Sequence, residues 1–363
     1  MSVPLAMHMA NELLNLPVAI VTLVLGAAAI WLAAAIARRR MDPQRLPLMG
    51  VIGAFVFAAQ MINFTLPGMP GTSGHLGGGV LLAILLGPAA AILTMASILI
   101  IQCLIFQDGG LLALGCNIIN MGVVPCVLGW WLYRALLGRG ERVAAWRQYL
   151  VAWGACVVGV TAGAALVPIQ AFLAGRLTIP VTHFLGVMVG VHLLIGAIEG
   201  AITFAVIAYL RQVHPASLGL QRPAGGQKLG RAAVIVSLLA TALLLGGVIS
   251  WFASAHPDGL EWSYLEHKYG RTAGAVEPPS KAAAAVDDLQ ARYSPMPDYS
   301  ARSAPLGSVA EEAQEDAEEE AWPNVSGWGS VAGLVGTLIT LLAVYFVSAG
   351  LRRKKAPSQQ PEG

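Results

Sequence analysis

LGGGVLLAILLGPAAAILTMASILIIQCLIF, residues 76–106, is the stretch whose reading decides the fold. It carries no charged side chain and exceeds the roughly 20 residues a helix needs to cross a bilayer. Gly87-Pro88 interrupts it, and that pair is a natural place for a helix to break. Two passes joined there are expected, one limb being a half-helix shielded from lipid by protein. Working outward, further apolar runs occupy 17–37, 47–66, 111–137, 148–173, 184–210, 231–253 and 329–350. Of 363 residues, 56% are hydrophobic and 12% charged, against about a quarter charged in a soluble domain. The chain therefore reads as an all-α polytopic membrane protein whose first partner is the lipid bilayer, with no sign of nucleic-acid binding. The first run is not a cleaved signal peptide, because it is long and no basic residue precedes it.

Charge sorting supplies the topology. Basic residues gather at Arg38, Arg39, Arg40 and Arg45, at Arg134, Arg139, Arg142 and Arg147, at Arg211, Arg222, Lys228 and Arg231, and at Arg352, Arg353, Lys354 and Lys355. The positive-inside rule puts all four clusters in the cytoplasm. The N-terminus with His8 then lies outside, His75 emerges on the same face, and the C-terminus is cytoplasmic. Nine passes satisfy the pattern, seven before residue 212 and two after. The polar linker Val213–Leu229, with His214-Pro215, Pro223 and Gly225-Gly226, divides the chain. Beyond it one span leads to an extramembrane loop of about 254–327, then a last span and a basic tail. The loop holds HPDGLEW at 256–262 and an acidic run at Glu311–Glu320. Its low hydrophobicity and charge bias predict a small or partly disordered segment.

Two histidines carry the chemistry. In a chain beginning Met7-His8, the free amine, the backbone amide nitrogen and the imidazole can chelate a cation in a plane, and His75 could close that plane. Square-planar nitrogen ligation suits nickel and copper, and cobalt less strictly. The plain alternative for His8 is a solvated side chain near a terminus. For Gly77-Gly78-Gly79, close helix packing is an equally good use. His192 and Glu199 lie two turns apart on one helix and share a face; an intramembrane carboxylate is either a relay step on an ion path or an anchor between helices. Gln60, Asn63, Asn117 and Asn120 are polar groups in apolar helices, expected to bond across helices and to orient the histidines. His183 at the outer end of the seventh span is a capping or backup residue. His256, His267 and the acidic run could concentrate cations, or simply be solvated. Four cysteines, Cys103, Cys116, Cys126 and Cys156, form no CxxC pair and read as small buried hydrophobes.

Five motifs together resemble one family. MHMANELL at 7–14, PLMGVIGAFVFAAQMINFTLPG at 47–68, SGHLGGGVLLAILLGP at 73–88, FQDGGLLALGCNIINMG at 106–122 and HLLIGAIEGAIT at 192–203 closely resemble the substrate-capture subunit of cobalt and nickel energy-coupling-factor transporters, the CbiM/NikM family. The tail resembles the two-span accessory subunit of the same systems, whose PDGLE signature stands here as Pro257-Asp258-Gly259-Leu260-Glu261. The resemblance implies a fusion: a seven-helix metal-binding permease over 7–211, a cytoplasmic linker at 212–230, a two-helix PDGLE module over 231–350 and a basic tail at 351–363. It implies capture of Ni2+ or Co2+ as transported substrate in the cytoplasmic membrane of a bacterium, with cobalamin synthesis as a destination for cobalt and with no prosthetic group. The ligands carried over are the amine of Met7, the amide nitrogen and imidazole of His8, and His75. The implied partners are a CbiQ/NikQ-like transmembrane coupling subunit and CbiO/NikO-like cytoplasmic ATPases. The absence of a Walker GxxxxGK[ST] motif agrees with a subunit that hydrolyses nothing. MSVPLA precedes Met7; a free amine there is expected from translation starting at Met7. Two rivals have different signatures. A proton-coupled antiporter or exporter would place several acids within its spans, where only Glu199 qualifies with Asp108 at a span end. A metal sensor or scaffold would need a cytoplasmic output domain.

Overall fold

The computed structural model describes residues 8–40, 46–138, 144–213, 230–254, 256–265, 276–301, 323 and 325–351. Met7, His267, the acidic run, most of the linker and the basic tail lie outside them. Helices dominate: α1 (Leu16–Arg40), α2 (Leu46–Gln60), α3 (Gly79–Leu86), α4 (Pro88–Ile105), α5 (Leu114–Leu137), α6 (Ala145–Leu173) and α7 (Val181–Val213). After the linker come α8 (Arg231–Gly247), a short α9 (Gly259–Leu265), α10 (Lys281–Tyr293) and α11 (Gly327–Gly350). A single two-residue ribbon pairs Phe64 with Gly74 and Thr65 with Ser73, antiparallel.

Among the described residues six helices, α1, α4, α5, α6, α7 and α11, are long and apolar enough to cross a membrane. Of the nine passes expected, the remaining three segments are shorter apolar helices, α2, α3 and α8. At 1.5 Å per residue, α2 and α8 reach about 22 and 26 Å, a little short of a hydrocarbon core of about 30 Å. The 76–106 stretch does break at Gly87, whose φ of 84° closes α3 before Pro88 opens α4. With eight residues, α3 is about 12 Å long, so it is a half-helix rather than a pass. It is buried on every side, which is what allows a short helix with unsatisfied ends to persist at that depth.

Long runs of leucine, valine and tryptophan on α1 face outward, with Trp31 72% exposed, as a lipid-facing surface requires. Helices α6 and α7 form the longest packed pair, and α2 is covered by both α8 and α11 of the fused module. The fused pair itself meets through glycine: a Cβ on Gly333 would lie 2.0 Å from the Gly246 carbonyl oxygen, the close backbone approach that small residues permit between membrane helices. Helix α5 contains two π-helical stretches, Ile118–Val123 and Pro125–Gly129. Such wide turns cluster at functional sites, and Asn120, Met121 and Pro125 from this region line the cavity described below.

Of the loop expected to be a small or partly disordered segment, residues 256–265 and 276–301 are described, and they fold onto the His8 segment, the loop between α4 and α5, and α7. Hydrogen bonds to main chain hold them together with a few apolar anchors such as Leu260 and Ala283, too few for hydropathy to mark the fold. Ser280 caps α10 by accepting from the amide of Ala283, and Gln290 of α10 is buried among main-chain groups. Its Nε2 donates to the carbonyls of Cys103 (2.9 Å) and Gly109 (2.8 Å), and its Oε1 accepts from Leu111 N (3.0 Å).

Candidate metal-capture site

His8 sits just before the first 3-10 turn, Asn11–Leu13, and is only 2% exposed. Its segment is inserted into the loop between α4 and α5, which is built to receive it. Asn117 of α5 clamps the Met9 peptide in both directions, accepting from Met9 N at 3.1 Å and donating to Met9 O at 3.2 Å. Gly110 N also donates to Met9 O, at 3.0 Å, and the side chain of Asn11 accepts from Leu112 N at 2.7 Å. Two glycines are required by this approach. A Cβ on Gly109, whose φ is 86°, would lie 2.9 Å from His8 Cβ, and one on Gly110 would lie 2.2 Å from Asn11 Oδ1.

The His8 ring lies 5.4 Å from that of His75, centroid to centroid. Its Nδ1 donates to Asp108 Oδ1 at 2.7 Å, while Nε2 is buried with no hydrogen-bond partner. An orphaned imidazole nitrogen is costly in a buried setting. Asp108 is buried, which alone raises its pKa, yet His8, the Tyr299 hydroxyl donating at 2.7 Å and His75 together hold the carboxyl below its ordinary range. Tyr299 belongs to the fused segment, stacks on Phe106 at 4.7 Å, and has a left-handed φ of 56°. Gln107, beside Asp108, has a φ of 57°. Backbone strain of this kind on both sides of one contact gathers at functional sites.

His75 follows Gly74, the last residue of the two-residue ribbon. Its Nδ1 lies 3.2 Å from Leu76 O, and its Nε2 lies 3.7 Å from Asp258 Oδ2 of the PDGLE motif. The glycine run after it is held from two sides. Gln60 donates to Gly77 O at 2.8 Å and accepts from Gln102 at 3.0 Å, and Glu199 Oε2 accepts from Gly77 N at 2.7 Å. The other Glu199 oxygen is buried without a hydrogen-bond partner. Gly78 has a φ of 78° and leaves no room for a Cβ beside Val56, so the run serves both backbone conformation and packing.

An internal cavity of about 80 Å³ lies between these groups, with His8, His75, His192, Asn117, Asn120 and Asp258 among its polar walls. That is several times the space one water requires. His192 Nδ1 lies 2.8 Å from Met188 O one turn earlier on α7. Asn120 pairs with Gln170 in both directions, at 2.8 and 2.9 Å. Asn63 stands apart; its carbonyl accepts from Ser254 and it does not line the cavity. His183 and the exposed His256 also lie away from it. All four cysteines are buried and none forms a disulfide. Among the described residues no cluster of three or more His, Cys, Asp or Glu side chains is gathered for a metal.

Residues 8–217 match the family model described as the cobalt uptake substrate-specific transmembrane region. The chain belongs to that family. Residues 232–353 match the PDGLE domain, so the cobalt-uptake region and the PDGLE domain are fused in one polypeptide. A fused nickel transport protein NikMN of Rhodobacter capsulatus is 31% identical over 295 residues, covering 75% of this chain and 83% of that one. A protein of Archaeoglobus fulgidus named as a fused NikMN chain is 36% identical over 239 residues, covering 66% and 76%. The cobalt transport protein CbiM of Geobacter sulfurreducens is 30% identical over 261 residues, covering 67% and 71%. This CbiM-family chain is a multi-pass membrane component of nickel or cobalt transport. Sequence reading singled out His8 and His75 but assigned no role to Asp258 of the cavity wall, or to Asp108, Gln290 and Tyr299 around the His8 segment. The signal lay in the pattern Asp-Gly at 108–109 and 258–259, a short acid beside a residue that permits close approach.

Proposed function

We propose that this chain is the ion-capturing subunit of an energy-coupling-factor importer for Ni2+ or Co2+. The observation that carries the reading is a buried His8 whose ring lies 5.4 Å from that of His75, both lining one small cavity. The ion sheds water at the outer face and binds the amine of Met7, the amide nitrogen and imidazole of His8, and His75. A chelate ring that includes His8's own amide nitrogen closes only through Nδ1, the ring atom nearer the backbone. That atom now donates to Asp108, so loading exchanges a proton and a hydrogen bond for the metal. A separate coupling subunit and ATPases then open a cytoplasmic path. The permease, linker, PDGLE and tail boundaries at 211, 230 and 350 follow the same reading. Within the described spans Glu199 is the only acidic residue, which favours this over a proton-coupled exporter.

The test is N-terminal sequencing of the purified full chain combined with calorimetric titration of Ni2+ and Co2+. A chain starting at Met7 is expected to bind Ni2+ tightly, and His8→Ala to abolish binding. Because the amine and amide must lose protons, affinity is expected to fall from pH 8 to pH 6. Binding that survives His8→Ala, or that is insensitive to pH, would defeat the chelate.

A further inference from the structure

The PDGLE motif lies directly over the capture cavity. Ser73, two residues before His75, donates its amide to Pro257 O at 2.8 Å and its hydroxyl to His256 O at 2.7 Å. Asp258 Oδ1 accepts from Leu260 N at 2.9 Å, the side-chain cap that starts α9 and fixes the carboxyl's direction. Leu260 is buried beside Met188 and Phe184. Gly259 has no space for a side chain, since a Cβ there would lie 2.4 Å from Val191. Every position from 257 to 260 thus serves to seat one acid, 3% exposed, in the wall shared with His8 and His75.

A divalent ion held by an amine, two neutral imidazoles and one deprotonated amide leaves a net single positive charge. In a dry cavity such a charge is costly unless an opposite one lies beside it. We infer that Asp258 supplies the counter-charge of the loaded site, so that the fused module completes the cation site electrostatically rather than merely covering it. The inference rests on the capture reading above and adds a residue from the fused module to it. Asp108 is committed elsewhere, to His8 and Tyr299, and is not part of the cavity wall. Asp258 faces the cavity with its second oxygen 3.7 Å from His75 Nε2. The ligand class is a divalent transition-metal ion, and the role is positioning and neutralisation, not transfer of a bond.

The experiment is Ni2+ titration of the full-length detergent-solubilised protein, with retained metal counted after desalting, for Asp258→Asn, Asp258→Ala and His8→Ala. Asparagine keeps an oxygen for Leu260 N and removes only the charge. The counter-charge role predicts that Asp258→Asn weakens Ni2+ binding by about 10–100-fold, as much as Asp258→Ala does. If Asp258→Asn binds like the parent chain, the inference is overturned, and an accompanying loss in Asp258→Ala reduces the motif to a loop shaper. Loss in His8→Ala without loss in Asp258→Asn overturns this inference alone. Unchanged binding in His8→Ala defeats the chelate, while a loss in Asp258→Asn would still support a carboxylate-held cation. Should Asp258→Asn fail to fold, Asp258→Glu, which keeps the charge, is expected to retain Ni2+ better than Asp258→Ser, which keeps the cap. The reverse order would overturn the inference.

Discussion

Asn117 does more for the site than either of its hydrogen bonds suggests singly. It reads the Met9 peptide on both edges, and so fixes the amide that immediately follows His8. Replacing it with alanine leaves two buried main-chain groups one partner short, although Gly110 still serves Met9 O. Ni2+ affinity is expected to drop about 10–100-fold with the bundle still folded, read by calorimetry beside a thermal melt; an unchanged Kd would show that the segment needs no such clamp. Glu199 makes a similar case one layer deeper. Glu199→Gln keeps an oxygen for Gly77 N, whereas Glu199→Ala does not. If the residue anchors the loop after His75, glutamine should retain metal binding and alanine should lose it; if both lose transport but keep binding, the carboxylate serves the ion path instead. The histidines were legible because a near-terminal Met-His pair and a histidine before three glycines are chemically distinctive. The acids that touch them were not, because Asp108 and Asp258 read as ordinary loop residues until folding brings sequence positions 100 and 183 residues apart into contact with His8 and His75.

Helix α5 shows what periodicity can and cannot reveal about an element. Its apolar content marks a span, and Gly87-Pro88 marks the break between α3 and α4, because both signals are local. The π-helical stretches at Ile118–Val123 and Pro125–Gly129 leave no mark in the hydropathy, because they change the internal i→i+5 bonding and not the apolar content. One consequence is a tight crossing with α6. A Cβ on Gly163 would lie 2.1 Å from the Asn120 carbonyl oxygen, which is backbone and cannot move aside cheaply. Gly163→Val should therefore destabilise by about 1–3 kcal/mol, seen as a lowered melting temperature, and should enlarge or distort the cavity that both helices line. Wild-type stability in that variant would mean that the two helices can slide apart. The half-helix α3 tolerates its shortness for the same reason: neighbouring backbone surrounds it, as the 2.8 Å approach of Met121 O to a Cβ on Gly79 illustrates.

The fused module grips the capture bundle at both ends of its fold. On the membrane side α8 and α11 cover α2, burying apolar surface that would otherwise face lipid. At the other end the polypeptide returns to pin the His8 segment and its receiving loop. Gln290 binds the carbonyls of Cys103 and Gly109, Met296 N donates to Ile105 O at 3.1 Å, Asp298 N donates to Phe106 O at 2.9 Å, and Tyr299 ties Asp108. These contacts are nearly all to main chain, so a sequence scan for apolar runs could find the two spans but not the clamp between them. The clamp also sets a dynamic expectation. The His8 segment and residues 105–112 rest on a few buried apolar anchors, Met9, Leu13, Leu14 and Phe106, and on these hydrogen bonds, so removing the bonds lowers the free energy of local opening there. The pair Gln290→Ala with Tyr299→Phe removes side-chain anchors without touching any proposed ligand. Hydrogen exchange is expected to quicken at 8–14 and 105–112 and to stay unchanged in the α6–α7 pair, while Ni2+ dissociates faster. If the clamp governs release, the gain in dissociation rate should track the gain in exchange. Faster exchange with an unaltered dissociation rate would mean that the ion is held by its own ligands alone, and that the fused segment acts on the apo site only.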